Sequence, residues 1–392
     1  MIDIHDKRCT GCTACYNICP KHCISMREDD EGFLYPYIDK EKCINCGLCK
    51  KVCQMYKAST GNKPLRAIAA INRKRDVLLS SSSGGIFSTV ANYILKNGGV
   101  VCGAAFDEKF KVKHIFVENK EDLKRLYGSK YVQSEISDTY TQIKEYLKKD
   151  VEILFSGTSC QVEGLKAFLG DECEKLYTID VICHGVPNQK FFDEYLNSFK
   201  RKIVDYNFRY KLRNKNVNTA LLSYKFENGK RKIIENVFLD PYYFAFYGSY
   251  NYRDSCYNCK FANLERVGDI TLGDFWGAEN YHKIPTNDGV SAVMINSEKG
   301  IELLNKAIHE NVVYEEADIE NIKKKNNNLQ KPAKRPLVRD NIYRDLNEKG
   351  FKYISKKYLK PNHYILVKLK SFIPIRYKMI LKEKIINIKK GK

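Results

Sequence analysis

"VEILFSGTSCQVEGLKAFLGDECEKLYTIDVICHGVPN", residues 151–188, decides the fold of the larger part of this chain. VEILFSG is a short apolar run of the kind that forms a strand buried on both faces. CQVEGLKAFLG spaces its apolar residues as a helix does and closes on Gly170, and LYTIDVIC is a second buried-type strand that runs into HGVPN. Strand, helix and strand in that order predict an α/β body, and they place Cys160 after the first strand and Cys183 at the end of the second.

The same alternation extends in both directions. Upstream, IAAINR (68–73) reads as a strand, GGIFSTVANYILKNGG (84–99) as a helix closed by Gly98 and Gly99, VVCGAAF (100–106) and KVKHIFVE (111–118) as strands, and DTYTQIKEYLKKD (138–150) as a helix. Downstream, ALLSYKFENGKRKIIE (220–235) alternates around Asn228-Gly229 and reads as a hairpin, and GVSAVMIN followed by SEKGIELLNKAIHEN (289–311) is another strand and helix.

At 392 residues and 43% hydrophobic composition the chain accommodates two or three domains with sizeable cores. Its start, MIDIHDKR, carries acids where an export signal needs a basic and then apolar run, and no apolar stretch reaches the ~18 residues of a spanning helix. A cytoplasmic location is expected. In such a chain fifteen cysteines point to metal ligation or redox chemistry rather than to a disulfide scaffold. The formal charge of +20 is uneven: residues 351–392 hold thirteen Lys or Arg against Glu383 alone. The basic character is therefore mostly that of a tail.

Residues 1–58 hold nine of the cysteines, and the polar STGNKP (59–64) separates them from the rest. CTGCTACYNICP gives Cys9, Cys12, Cys15 and Cys19 before Pro20, the C-x2-C-x2-C-x3-C-P run of bacterial two-cluster ferredoxins, and CINCGLCKKVC supplies Cys43, Cys46, Cys49 and Cys53 at the same spacing. In that arrangement the fourth cysteine of each run ligates the other cluster. Cys9, Cys12, Cys15 and Cys53 are thus expected to hold one 4Fe-4S cluster, and Cys43, Cys46, Cys49 and Cys19 the other. Gly11 and Gly47 let backbone approach the clusters. The second run ends in Gln54 rather than Pro, a departure from the pattern. A zinc-binding unit is the alternative, against which two matched runs with crossing spacing weigh heavily. Such a unit moves single electrons, so substrate chemistry falls to the remainder.

In that remainder LLSSSSGGIFSTVANYIL sets serines and glycines, among them Ser83, Gly84, Gly85 and Ile86, ahead of a helix. Amides, hydroxyls and the positive helix end suit a phosphate or a flavin, and a Ser/Gly connector with a cap reads equally well. LYGSKYVQS (126–134) puts Lys130 between Ser129 and Tyr131, suited to an anion beside a flat ring or to a solvated turn.

Taken together and in order, SSGGIFS, GSKYVQS, FSGTSCQVEGLK, DVICHGVP, RDSCYNCKF and GDITLGDFWG resemble the beta subunit family of coenzyme F420-reducing hydrogenases and dehydrogenases, from about residue 65 to about 300. The resemblance implies an FAD-binding α/β fold carrying its own 4Fe-4S cluster, with flavin exchanging a hydride with a two-electron partner and single electrons with iron-sulfur centres. It implies flavin contacts at Ser83, Gly84, Gly85, Ile86, Gly128, Ser129, Lys130, Tyr131, Gly157, Thr158 and Gln161, and no side chain acting as a nucleophile. The motif cysteines matched to the family are Cys160, Cys183, Cys256 and Cys259. In a parallel sheet the first two fall at strand ends facing one crevice, where they meet the CxxC pair to bind a third cluster. A dithiol switch and a zinc knuckle are the competing readings of Cys256 and Cys259. Cys23, Cys102 and Cys173 sit in no motif and read as small buried residues. His184 reads either as a group tuning the cluster or as a structural histidine, and Asp269, Asp274 and Trp276 either as lining of a flavin pocket or as turn caps and a core aromatic. Ser159 stands where relatives commonly show Pro, and Tyr127 where they commonly carry Arg, which weighs against coenzyme F420 itself.

The expected architecture is an α+β ferredoxin-like domain (1–58), an α/β flavin-binding body in two parts (65–150 and 151–317), and a basic helical extension (318–392). In the last, NIKKKNNNLQKPAKRPL reads as a polar connector. The residues beyond it interleave apolar side chains with lysines, as in a helix packed on its own body or one lying on an anionic membrane surface. No nucleic-acid-binding module accompanies the charge. The expected activity is that of an iron-sulfur flavoprotein oxidoreductase with three 4Fe-4S clusters and FAD. A ferredoxin or similar protein would exchange single electrons with it, and coenzyme F420 or a similar carrier would be the hydride partner. The alternatives are a ferredoxin-dependent reductase of an organic substrate and an electron-transfer subunit whose chemistry lies in a partner protein.

Overall fold

The structure is a computed structural model that describes residues 2, 6–57, 61–170, 173–212, 221–286, 288–308, 310–362 and 364–365. Thirteen strands run along the described chain: β1 (Ile24–Glu28), β2 (Leu34–Ile38), β3 (Arg66–Asn72), β4 (Val100–Phe106), β5 (Val112–Val117), β6 (Ile153–Thr158), β7 (Leu176–Val181), β8 (Ile203–Tyr210), β9 (Leu221–Phe226), β10 (Arg231–Ile234), β11 (Ile270–Asp274), β12 (Ser291–Ile295) and β13 (Val312–Glu316). Eight form one mixed sheet in the order β13-β3-β12-β11-β7-β6-β4-β5.

At its centre β4, β6, β7 and β11 are mutually parallel, and the flanking pairs β4–β5, β11–β12, β12–β3 and β3–β13 are antiparallel. Helices cover both faces, which is why these strands are apolar throughout rather than alternating. Ile86, Val90, Ala91 and Ile94 of the helix Ile86–Lys96, with Leu303, Leu304 and Ala307 of Glu298–Ala307, close one face. The helices Thr139–Lys148 and Ser159–Leu169 close the other through Tyr140, Ile143, Val162 and Leu165. Because β3 lies between β12 and β13, the two parts of the body expected from sequence are halves of one sheet.

The strands β10, β9 and β8 form a separate antiparallel sheet packed on an aromatic core that includes Phe191, Phe192, Tyr195, Tyr242 and Tyr243. The N-terminal unit is built on the β1–β2 hairpin and two short helices, Ala14–Ile18 and Leu48–Lys51, each following one cysteine-rich turn.

Residues 318–357, which read as connector and extension, are part of the body. Ile322, Leu329, Ile342 and Leu346 are buried, and Arg339, fully buried, donates to the Tyr252 carbonyl and pairs with Glu31 at 2.6 Å. Apolar residues at helical spacing outweigh the lysines between them. The rest of the basic tail, residues 366–392, lies outside the described residues.

Candidate functional site

The carboxyl ends of β4, β6, β7 and β11 open into a cleft of about 770 Å³. This is where an open α/β sheet collects ligands, since strand ends and helix N-termini converge there. Each wall is fixed by a local device. After β6, Thr158 and Gln161 form a reciprocal capping box at the start of the helix Ser159–Leu169, and the Gln161 amide also donates to Ser134 Oγ at 2.9 Å. Gly157 precedes it because a Cβ there would lie 3.0 Å from Gln161 and 3.1 Å from Phe155.

The Ser/Gly loop before the helix Ile86–Lys96 is held from several sides. Ser83 donates to the Val290 carbonyl, Ser129 donates through N and Oγ to Ser82 Oγ, and Lys211 Nζ donates to the carbonyls of Leu78 and Ser83. Gly85 supplies a left-handed N-cap with no side chain, leaving the first N–H groups of the helix to a ligand or water. Gly84 serves a different end: a Cβ would stand 2.2 Å from the Ala70 carbonyl, so it allows the loop to close on β3.

Of the eleven residues expected to contact the flavin, ten line this cleft and Gly84 does not: Ser83, Gly85, Ile86, Gly128, Ser129, Lys130, Tyr131, Gly157, Thr158 and Gln161. Tyr131 stacks on Phe246 with centroids 4.2 Å apart. Lys130 directs Nζ to the carbonyls of Arg125 and Tyr127, and burial alone depresses its pKa to about 7. An anion would restore its charge.

Two lining residues escaped the sequence reading. Arg209 pairs with Asp274 at 2.7 Å, donates to the Ser82 carbonyl and lies 5.6 Å from the Trp276 ring centre. His114 stacks on Phe155, hydrogen-bonds the Ser156 carbonyl through Nε2, and is held neutral by burial at a pKa of about 4. Its Nδ1 is buried and has no partner among the described residues. His184 also lines the cleft, with its pKa lowered by burial. A lone Arg or His in an apolar strand carries no pattern, so spacing offered no signal. Of the residues singled out in GDITLGDFWG, Asp274 and Trp276 line the cleft, whereas Asp269 is buried and accepts from Thr178.

Cys160 and Cys183 lie in the wall of the cleft, and the turn Asp254–Asn258 brings Cys256 and Cys259 behind them. The thiols act on one another: burial raises the Cys160 pKa far above its ordinary value, and Cys259, Cys183 and Cys256 raise it further. Cys183 is pushed up to about 12 by burial and then by Cys259. Such thiols stay protonated until a metal centre displaces the protons. In the N-terminal unit Cys15 is raised by burial and by Cys12, Cys9 and Cys53, while Cys19, Cys43, Cys46 and Cys49 line a small pocket of their own. Cys23, outside both runs, is buried with its sulfur 3.3 Å from that of Cys19.

All-cysteine sets of four fit the thiolate donors that a 4Fe-4S cluster takes.

Residues 67–140 match the N-terminal domain, and residues 150–321 the C-terminal domain, of the coenzyme F420 hydrogenase/dehydrogenase beta subunit. The chain belongs to that family. The family is one of oxidoreductases, and in this member residues 8–56 match a 4Fe-4S dicluster domain, which makes it an iron-sulfur protein. An uncharacterized ferredoxin of Methanocaldococcus jannaschii is 38% identical over 52 residues, 13% of this chain. The chain spans 66% of that ferredoxin's length. A chain of the F420-reducing [NiFe] hydrogenase complex of Methanosarcina barkeri is 18% identical, with a TM-score of 0.44 over 79% of this chain and 99% of that one. Among the described residues no helix is long and apolar enough to cross a membrane.

Proposed function

We propose that this family member is an iron-sulfur flavoprotein oxidoreductase that binds FAD in the cleft and 4Fe-4S clusters at Cys9, Cys12, Cys15 and Cys53, at Cys19, Cys43, Cys46 and Cys49, and at Cys160, Cys183, Cys256 and Cys259. The supporting observation is that one cleft is lined both by Cys160 and Cys183 and by ten of the eleven residues expected to hold a flavin. Bound there, the flavin supplies interchange between single electrons and a hydride. The chain's own part is to bind and orient. The uncapped helix start at Gly85 and the Lys130 amine face an anion, Tyr131 and Phe246 offer a flat apolar surface, and Arg209 with Asp274 fixes the outer wall.

Coenzyme F420 or a similar carrier is the hydride partner in this reading, and a ferredoxin-type protein exchanges electrons at the N-terminal unit. A specific residue favours a second reading, a ferredoxin-dependent reductase of an organic substrate. Tyr127, standing in place of the Arg common in relatives, lines the cleft and takes a 3.5 Å hydrogen bond from Asn92 without offering a positive charge.

Anaerobic purification with iron, sulfide and flavin counted per chain tests the proposal. About twelve irons, four per cluster, with one FAD are expected. Absence of flavin after reconstitution refutes it, and turnover of F420 against a panel of unsaturated organic substrates separates the two readings.

A further inference from the structure

Gln54 breaks the symmetry of the two cysteine runs. Pro20 follows the fourth cysteine of the first run and is exposed, whereas Gln54 follows the fourth cysteine of the second and is only 3% exposed. Its side chain is buried between the N-terminal unit and the body. Nε2 donates to the Cys160 carbonyl at 2.9 Å and to Thr10 Oγ1 at 3.0 Å. The amide oxygen has no partner among the described residues, so the N–H end carries these contacts. The Gln54 backbone carbonyl accepts from Lys260 Nζ at 2.8 Å, next in sequence to Cys259.

The surrounding backbone is closed to match. Gly164, one turn into the helix that holds Cys160, leaves only enough room that a Cβ there would meet Cys12 Sγ at 3.0 Å. The Gln54 amide therefore bridges Thr10, in the turn between Cys9 and Cys12, and the Cys160 carbonyl. By contrast Cys19 and Cys43 contact Cys23 and Asn45 within the N-terminal unit, and Cys46 is exposed.

We infer that Gln54 is a positioning residue that couples the centre held by Cys9, Cys12, Cys15 and Cys53 to the one held by Cys160, Cys183, Cys256 and Cys259. Electrons then cross the chain from the exposed second run, through the first set, to the cleft. The inference rests on the three-cluster reading above. Exchange across the junction moves one electron, oxidising one side and reducing the other, and no bond is made or broken. A hydrogen bond that fixes the ligand-bearing backbone on both sides of a junction sets how the two centres are oriented and spaced, and with that their potentials. A proline in this place has no N–H to offer.

The test compares the full chain with Gln54→Leu and Thr10→Val, each reconstituted anaerobically and followed by iron analysis and EPR-monitored redox titration. Gln54→Leu should keep its iron, shift the potential of the centre held by Cys9, Cys12, Cys15 and Cys53 and weaken its magnetic interaction with the body's centre. Electron transfer to the cleft should slow by about tenfold, the size usual for a lost group behind a metal ligand. Thr10→Val, which removes one of the amide's two acceptors and leaves its bond to the Cys160 carbonyl, should shift the potential less. Unchanged potentials and EPR spectra in Gln54→Leu at full iron content overturn the inference. Should Gln54→Leu lose iron, an unchanged potential in Thr10→Val overturns it instead. A wild-type chain with only about eight irons would remove the third cluster, and with it the underlying reading.

Discussion

Arg253 donates its Nε to the Cys9 carbonyl at 2.7 Å, tying the turn that carries Cys256 and Cys259 to the first cysteine of the N-terminal unit. The guanidinium is fully buried, also donates to the carbonyl of Leu34 and to Gln133 Oε1, and lies 4.2 Å from the centre of the Tyr35 ring. Charged hydrogen bonds contribute about 1.5 to 3 kcal/mol each, and stranded carbonyls add a penalty. Arg253→Met should lower the unfolding free energy by about 3 kcal/mol or more. Denaturant unfolding reads that loss, and limited proteolysis should show the N-terminal unit released early.

On the three-cluster proposal, Cys256→Ser should cost about four irons while the N-terminal clusters survive. Iron and sulfide analysis of the reconstituted chain measures this. An unchanged iron content removes the pair from the ligands.

Lys130 makes the cleft pH-sensitive. Burial holds its pKa at about 7, so the amine is cationic below that value and neutral above it. Anion or flavin affinity should therefore fall as pH rises through 7, and Lys130→Met should bind more weakly and without that dependence. Without ligand the sign reverses. The unfolded lysine, near 10.4, binds more protons than the folded one between pH 7 and 10, so the stability contributed by the neutral amine is lost as pH falls toward 7. Isothermal titration across pH 6 to 9 and thermal unfolding at the same values check both signs.

Ser159 stands where the resemblance led to the expectation of a proline. It is the first residue of its helix, a place open to proline, yet its Oγ donates to Asp180 at 2.8 Å and accepts from Arg266 at 2.8 Å. Asp180 and Arg266 form a buried pair. Ser159→Pro should leave the helix intact in circular dichroism but cost about 1 to 2 kcal/mol, since it strips one partner from each charge.

Asp274→Ala should be the more damaging change at the cleft. Arg209 would keep its burial and lose its carboxylate, a loss of about 3 to 5 kcal/mol. Asp274→Asn, which keeps a hydrogen-bond acceptor, should cost less, and comparing the two in thermal unfolding separates charge from shape.

The sequence by itself determined what short-range spacing can encode. Two matched runs assigned Cys9, Cys12, Cys15, Cys19, Cys43, Cys46, Cys49 and Cys53 to a dicluster unit, because their ligand geometry is set within about a dozen residues. Apolar runs and glycine stops located most strands and helices of the body, because burial on both faces leaves an unmistakable composition. Tertiary structure decided everything that depends on chain segments far apart meeting. The mixed order of the large sheet put β3 between β12 and β13, and carried 318–357 onto the body. It also brought Arg209, His114 and Gln54 to their sites through contacts such as that between Gln54 and Cys160, 106 residues apart. Single polar residues have no period, so only the closure of the sheet gives them a partner.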